Sequence, residues 1–540
     1  MLVLPAAAGA SVDPDGALRT YARARLADGE GELGLAVSSY RQALAADPTS
    51  MDIARRSYFQ ALESGDKALA LKSAALLDDE GLLPRDGTLL RIGDALERKD
   101  WTAAGAFTDR MVEEGNFAFL APMVRSWITA GATGAYAPPV LDPKDRFAPL
   151  ARRYADEQTA LLALAKGDLN TARPAMERAL ALRISDAAAL RLTFAGQLAA
   201  RGAKAEALAL LAGDDANYAV ARADILRGRK NAAGAPFSPA RGFAQLLARL
   251  GVDIATDDSG RAMGTRLARI ATFADPLGAE PHIVAARLLT AGGLPVFGAE
   301  EARKVPAKSW HAPLAQGEMV DAMAEAGDKP GAIALAQSLA AVPGAEAERY
   351  VRLGRLLADV RDFDGAAAAF RQAQARYQPD AVPWLLLLFE GSALEQGKRW
   401  EEARAVLQRA LKLAPDEPVL LNYLGYAQVE RRQNVEEALA LLKRASALKP
   451  TDSSITDSLG WAQFVTGDVQ AAVPVLERAA AGAPTDVTIN EHLGDALWAA
   501  GRRYEARYAW RAAAVFAEGD AAERLAAKAR EGMKPEYAAP

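Results

Sequence analysis

Three side chains that could bind a metal or transfer protons lie within five residues of one another near the C-terminal end. Glu491, His492 and Asp495 belong to the stretch INEHLGDALWAAGRRYEARYAW, residues 489–510. Imidazole and carboxylate groups serve as metal ligands or as general acids and bases when a fold brings them together. On a helix, residues 491 and 495 share a face because they are four apart, whereas residue 492 lies off that face. The spacing therefore favours a pair of carboxylates over a three-ligand metal site.

Other motifs with possible chemistry are weaker. GEGELG, residues 29–34, matches G-x-G-x-x-G, but a helical pattern precedes it, so it predicts a turn between helices and no dinucleotide site. Lys398 lacks the upstream glycine loop of a phosphate cradle, and the three histidines, His282, His311 and His492, have no His partner at i+4. We expect no enzyme, no cofactor and no metal. The enzyme alternative is an activity within residues 152–344, where no constellation of His, Cys or Ser converges.

Composition narrows the classes of partner. The chain has 540 residues, 64 basic and 69 acidic, with a formal net charge of −5, so no overall basic field favours nucleic acid or an anionic membrane. It has no cysteine, which excludes disulfides, thiolate catalysis, Cys-ligated zinc and a lipidated cysteine. No run approaches the roughly 18 apolar residues of a membrane span, so no transmembrane segment is predicted.

The first residues resemble part of an export signal. LVLPAAAGA looks like the end of a signal-peptide apolar region, and Ala8-Gly9-Ala10 fits a small-x-small cleavage site. The first basic residue is Arg19, so the usual basic start is missing. We expect residues 1–16 to be a clipped secretory signal, with a mature chain that begins near Ser11 in the periplasm. The alternative is a disordered Ala-rich end on a cytoplasmic chain.

A repeat of about 34 residues dominates the C-terminal part. Its glycines are Gly354, Gly391, Gly425, Gly460 and Gly494, of which the last three are 35 and 34 residues apart. After each glycine come an alanine, a large residue four later and a second alanine three beyond. These are Ala366, Phe370 and Ala373 in the first repeat, and Ala506, Trp510 and Ala513 in the last.

The residue types fit two antiparallel helices per repeat. Gly and Ala belong where two helices cross closely, the large residue is expected to fill the gap between adjacent repeats, and Pro415, Pro450 and Pro484 end the second helix. Over residues 350–516 the sequence resembles the tetratricopeptide repeat family. The resemblance implies an all-α fold, an α-solenoid of antiparallel helix pairs that winds into a superhelix.

Weaker repeats and proline-rich breaks divide the rest of the chain. TGAYAPPVLDPKDRFAP, residues 133–149, contains four prolines and predicts a linker or bend. The expected organisation is a signal remnant or disordered end (1–16), a degenerate helical block (17–132), the linker (133–149), divergent helical repeats (150–345), five regular repeats (346–516), and a capping helix with a tail (517–540).

The repeat register predicts a binding groove. With the glycine as position 8, positions 5, 9 and 12 share one helix face, and in tetratricopeptide stacks that face lines the concave groove. The expected groove residues are Asn422, Tyr426, Asp457, Trp461, Phe464, Glu491, Asp495 and Trp498. Aromatic rings are good anchors, and carboxylates favour a ligand with Lys, Arg or a free amine. The family's clamp for a peptide carboxylate is matched by Asn422 alone. Alternatively, these aromatic rings only fill the wall between repeats.

A closer resemblance involves the last third. LNYLGYAQVERRQNVEEALALLKRASALKPTDSSITDSLGWAQF and the stretch 489–510 look like the closing repeats of proteobacterial envelope adaptors. That family implies a carboxy-terminal processing protease and cell-wall hydrolases as partners. Those adaptors are lipoproteins, whereas this chain has no cysteine to acylate. The alternatives are a cytoplasmic regulator or assembly factor, and a polysaccharide or cell-wall export helper that stacks glycans on Trp461 and Trp498.

Overall fold

The computed structural model describes residues 14–144, 147–181, 187–213, 215–229 and 237–537. Within these ranges the chain forms 29 α-helices and no strand, so the expected all-α solenoid of helix pairs is confirmed. Of the expected signal remnant or disordered end (1–16), residues 1–13 with the cleavage site lie outside the described residues, and residues 14–16 begin the first helix. The chain divides into two compact units, residues 1–349 and 350–540, here called the N-terminal unit and the C-terminal unit.

Eighteen helices precede the division. They are α1 (Pro14–Gly29), α2 (Leu33–Ala46), α3 (Met51–Ser64), α4 (Lys67–Asp79), α5 (Gly87–Glu97), α6 (Trp101–Glu113), α7 (Ala121–Thr133), α8 (Ala148–Lys166), α9 (Leu169–Ala181), α10 (Ala187–Ala200), α11 (Lys204–Leu210), α12 (Ala219–Leu226), α13 (Pro239–Ile254), α14 (Asp258–Ala274), α15 (Ala279–Ala291), α16 (Pro295–Arg303), α17 (Ala312–Glu325) and α18 (Lys329–Ala340). The GEGELG stretch joins α1 to α2, with Gly31 at φ 76°, which confirms that it is a turn.

The helices of the N-terminal unit pack mostly on their chain neighbours, with one departure. α13 and α14 return to the start of the unit and pack on α3, α5 and α7. One apolar core therefore joins Tyr58 of α3 and Leu90 of α5 with Phe243 of α13. A buried ionic group lies beside it, in which Arg269 donates to the carbonyl of Glu63 and pairs with Glu301.

The C-terminal unit is a regular series of helix pairs. The first and second helices of successive repeats are α19 (Ala347–Asp359) with α20 (Phe363–Gln374), α21 (Trp384–Gln396) with α22 (Trp400–Leu413), α23 (Pro418–Glu430) with α24 (Val435–Leu448), α25 (Ser453–Val465) with α26 (Val469–Gly482), and α27 (Val487–Ala499) with α28 (Arg503–Ala514); α29 (Gly519–Glu531) follows. The division between the units falls within α19.

The large residue of each repeat lies against the glycine of the same repeat. A Cβ atom added to Gly391, Gly425 or Gly460 would stand 2.7–2.8 Å from a leucine of the partner helix. Leu442 also shares an apolar cluster with Leu459 of the next repeat, and Leu476 shares one with Leu497, so these residues belong to the packing between adjacent repeats as expected. A side chain 16 or 17 residues after the glycine reaches back across the helix pair, because the two helices are antiparallel and closely spaced.

None of the described helices combines the length and apolar character that crossing a bilayer requires.

Candidate functional site: a cavity along the first helices of the repeats

A cavity of about 700 Å³ runs along α21, α23, α25 and the start of α27. Each of these is the first helix of its repeat, so successive repeats contribute successive parts of one surface. The residues that line it are Glu395, Asn422, Tyr423, Tyr426, Ala427, Glu430, Arg431, Ser454, Asp457, Ser458, Asp486, Thr488, Ile489 and His492. A cavity of this size lies within the range of about 300–1,000 Å³ that ligand pockets occupy.

Carboxylates link α21 to α23, α23 to α25 and α25 to α27. In every case the acid lies on the earlier helix, and the donor lies on the later helix or directly after it. The pairs are Glu395 with Tyr423 (2.5 Å) and Arg431 (2.7 Å), Glu430 with Trp461 (2.9 Å), and Asp457 with His492 (2.9 Å). The last of these bonds joins Nδ1 of His492 to Oδ2 of Asp457. These bonds hold the repeats in register along the cavity.

Carboxylates of α27 are likewise bonded to donors of α29, the last α-helix of the unit. Lys528 of α29 is fully buried, and its Nζ lies 2.7 Å from Glu491 Oε1 and 2.9 Å from both oxygens of Asp495. Arg524 donates two more hydrogen bonds to Glu491, and Trp510 Nε1 donates to Asp495. All four carboxylate oxygens are therefore occupied by groups of the chain itself.

Burial and hydrogen bonding have opposite effects on the pKa values of Glu491 and Asp495. Burial works to raise the pKa of Glu491, but the hydrogen bonds from Arg524 and Lys528 lower that pKa overall. Burial dominates at Asp495 and raises its pKa, although Lys528 and Trp510 counteract it. Glu491 and Asp495 therefore share the buried ammonium group of Lys528. Of the two carboxyl groups, Glu491 loses its proton more readily than Asp495.

Trp461 lies between helices and is only 6% exposed. Its ring stacks on His492 at a centroid distance of 3.9 Å with an interplanar angle of 12°, and it contacts Phe464 at 5.1 Å. The indole N–H donates to Glu430. The expectation that His492 lies away from the groove is wrong, because His492 lines the cavity and holds the two residues expected there, Asp457 and Trp461.

Two oxygen atoms at the cavity have no hydrogen-bond partner among the described residues. They are Oδ1 of Asp457 and Oδ1 of Asn422, and both are buried. Asp457 as a whole is only 5% exposed, and its other oxygen accepts from His492. A buried carboxylate oxygen without a donor costs free energy, on the order of 1–3 kcal/mol or more for a charged group. A hydrogen-bond donor placed at this oxygen would remove that cost.

Two tyrosines complete the polar wall. Burial raises the pKa of Tyr426, and the nearby charge of Glu430 adds to the effect. Burial likewise raises the pKa of Tyr423, as does its hydrogen bond to Glu395. Both phenols therefore stay protonated at neutral pH, and the hydroxyl of Tyr423 donates to Glu395.

The cavity includes three of the eight expected groove residues: Asn422, Tyr426 and Asp457. Trp461, Phe464, Glu491, Asp495 and Trp498 lie outside its lining. Trp498 packs on Trp510 at 5.5 Å, with Arg503 and Arg507 over its ring. The sequence reasoning missed His492, Ser458 and Tyr423, which all occupy position 6 of their repeats. That position lies three residues before position 9, which is a neighbouring place on the helix surface, so a wider helix face would have included them.

No group of three His, Asp or Glu side chains that could hold a metal ion occurs in the part of the chain that the structure describes. Glu395 already binds Tyr423 and Arg431, and Glu430 binds Trp461. These two carboxylates of the wall are therefore bonded to groups of the chain itself.

Comparison with known proteins identifies the repeats. The family model described as tetratricopeptide repeat matches residues 351–418 and 390–453, so this part of the chain consists of tetratricopeptide repeats. No curated protein sequence matches the chain.

Among solved structures, MamA from Desulfovibrio magneticus RS-1 is similar at 18% identity, with a TM-score of 0.29, over 32% of this chain and 94% of that chain. A MamA structure labelled MSR-1 is similar at 20% identity, with a TM-score of 0.27, over 32% and 95%. YrrB, described as a TPR protein with an unusual peptide-binding site, is similar at 20% identity, with a TM-score of 0.28, over 34% and 92%.

Proposed function

We propose that this chain is a non-enzymatic scaffold that binds segments of partner proteins in the cavity of its C-terminal unit. Tetratricopeptide repeats in that unit support a protein-interaction role. The observation that carries the proposal is the buried, unpartnered Oδ1 of Asp457, a residue in the wall of the cavity of about 700 Å³. A ligand that donates a hydrogen bond to this oxygen would remove the cost of leaving it unpaired, and this gain would favour binding.

The charge of the wall indicates the ligand group. Glu430, Asp457 and Asp486 line the cavity, and the one arginine of the lining, Arg431, is paired with Glu395. A basic group, either a Lys or Arg side chain or a free amine, is therefore the complementary partner. The next repeat supplies an internal example, because Lys528 is held there between Glu491 and Asp495, at positions 5 and 9 of their repeat.

For the cellular setting we propose the Gram-negative envelope, with the carboxy-terminal processing protease and cell-wall hydrolases as partners. The support is the resemblance of the closing repeats to envelope adaptors and the signal-like residues before Ser11. The alternative is a cytoplasmic regulator or assembly factor. N-terminal sequencing of the chain from its native host separates the two, since an unprocessed cytoplasmic chain would contradict the envelope proposal.

The binding proposal is tested by crosslinked co-purification from the native host with mass spectrometry. Asp457→Asn keeps the shape of the side chain and its contact with His492 but removes the charge, so partner recovery should fall about tenfold or more. The matched control is Glu477→Gln, an exposed acid on α26 away from the cavity, which should recover partners like the wild type. Equal recovery with Asp457→Asn would refute the cavity as the site. Recovery of glycans in place of proteins would favour the export-helper alternative.

A further inference from the structure

A stripe of large exposed side chains runs along α28. Tyr504, Tyr508, Arg511 and Val515 follow one another at i, i+4, i+7 and i+11, so they share one helix face. Tyr504 is 72% exposed, Tyr508 54% and Val515 74%. The two phenol oxygens are 3.0 Å apart and the rings meet edge to face at 4.9 Å, so each tyrosine restricts the other.

A groove of about 600 Å³ adjoins the stripe between α28 and α29. Arg511 and Val515 belong to both features, and Arg507 and Arg530 complete the charged lining. Arg507 is fixed in place, because its Nε donates to the carbonyl of Ala529 and its guanidinium lies over Trp498. The groove and the stripe thus form one continuous surface, called the α28 surface below.

The charge of the α28 surface is positive. No carboxylate is among the residues that line the groove. Arg530 pairs with Glu531, but Glu531 is shared with Lys534, and no ion pair of Arg511 is found within the described residues. An arginine fork binds carboxylates through two parallel hydrogen bonds, and tyrosine and arginine are enriched in protein interfaces. Exposed apolar area next to such groups is typical of an interaction surface.

We propose that the α28 surface is a second docking site, which binds an acidic segment of a partner protein. Carboxylates of that segment pair with Arg511 and Arg530, and its aliphatic or aromatic side chains cover Tyr508 and Val515. The charge preference is opposite to that of the cavity on the first helices, where acids form the wall. The C-terminal unit would then hold two segments of opposite charge at the same time. The overall net charge of −5 does not favour nucleic acid at this surface.

The test uses a fluorescein-labelled peptide of Glu and Leu residues with one Phe, capped at both ends, and a control peptide in which every Glu is replaced by Lys. Fluorescence anisotropy with the full chain should show binding of the acidic peptide, weakened by salt, and none of the basic control. Arg511→Glu should weaken binding about tenfold or more, and the double variant Tyr504→Ala, Tyr508→Ala should weaken it similarly. All three side chains are exposed, so the thermal melt should not change.

Two control variants sharpen the result. Arg478→Glu reverses an exposed arginine on α26 and should leave the affinity unchanged. Asp457→Asn should also leave it unchanged, which separates this site from the cavity. The proposal is overturned if the acidic peptide binds more weakly than about 1 mM, or if both surface variants bind like the wild type. It is also overturned if the chain dimerises through the same tyrosines, since the occupant would then be a second copy.

Discussion

The indole of Trp510 lies directly over Gly494. A Cβ atom at position 494 would stand 2.4 Å from both Cδ1 and Nε1 of that ring, closer than any real side chain tolerates. The same indole donates its N–H to Asp495, one residue further along α27. Glycine is therefore required at this crossing for space, and the position of the ring sets the spacing of α27 and α28.

Gly494→Leu should destabilise the last repeats. The added side chain must displace a fully buried tryptophan, and overpacking of this kind costs roughly 1–3 kcal/mol or more. Ala499→Leu, an exposed substitution on the same helix, is the matched control and should leave the thermal melt unchanged. A Gly494→Leu chain that melts like the wild type would contradict the close approach of the two helices.

Trp461→Ala should lower stability. The ring is packed between His492 and Phe464 and hydrogen-bonded to Glu430, so its removal leaves a cavity and an unpaired acceptor. Loss of a buried tryptophan costs about 3–5 kcal/mol. Tyr508→Ala, which truncates an exposed ring, is the control for chemical denaturation. If Trp461→Ala unfolds like the wild type but loses partner binding, the ring is an anchor for ligand and not part of the wall.

Lys528→Met should lower the free energy of unfolding by about 3–5 kcal/mol. The substitution leaves Glu491 and Asp495 buried without the cation that pairs with both. Arg530→Met, which removes an exposed cation two residues away, should cost much less. Adding Asp495→Asn to Lys528→Met should recover part of the loss. A double-mutant cycle by urea denaturation measures the coupling, and a coupling near zero would show that the buried ion pair does not stabilise α29.

Glu157→Gln should make the N-terminal unit less sensitive to pH. Burial raises the pKa of Glu157 to about 7, against the opposing effect of Arg249. The folded carboxyl thus keeps its proton well above the pH at which the unfolded one loses it. Its contribution to stability is full below about pH 4.5 and is lost as the pH rises to about 7, a difference on the order of 3 kcal/mol.

The glutamine variant lacks this titration, so its free energy of unfolding should change less between pH 4.5 and pH 7.5 than that of the wild type. The exposed Glu177→Gln on α9 is the control. A wild type and a variant with parallel pH profiles would show that Glu157 ionises normally in the folded chain.

The regular repeats could be predicted because their packing is local. Gly494 and Trp510 lie 16 residues apart, and the same spacing recurs along the chain, so a pattern in the sequence reports the contact. The return of α13 and α14 to α3 and α5 involves residues some 200 apart and leaves no periodic signal. The packing of α13 and α14 on α3 and α5 depends on tertiary contacts alone, so a search for repeats between chain neighbours does not find this packing.

The site was harder to predict than the fold for a related reason. Helix periodicity places Asp457 and Glu491 at equivalent positions, but it does not say what the following helix donates to them. His492 contacts one and Lys528 the other, and these donors differ in size and charge. Equivalent positions in the repeat therefore differ, since one carboxylate has an oxygen without a hydrogen-bond partner among the described residues and the other is fully paired.

The contacts between successive first helices make the repeats impossible to interchange. Each junction uses its own pair of side chains: Glu430 with Trp461, Asp457 with His492, and Asp495 with Lys528. A duplicated copy of residues 453–486 would bring Trp461 of the copy opposite Val465 and Asp457 of the original opposite Ser458. The repeats therefore have one fixed order, because exchanging two repeats or adding one would break these side-chain pairs.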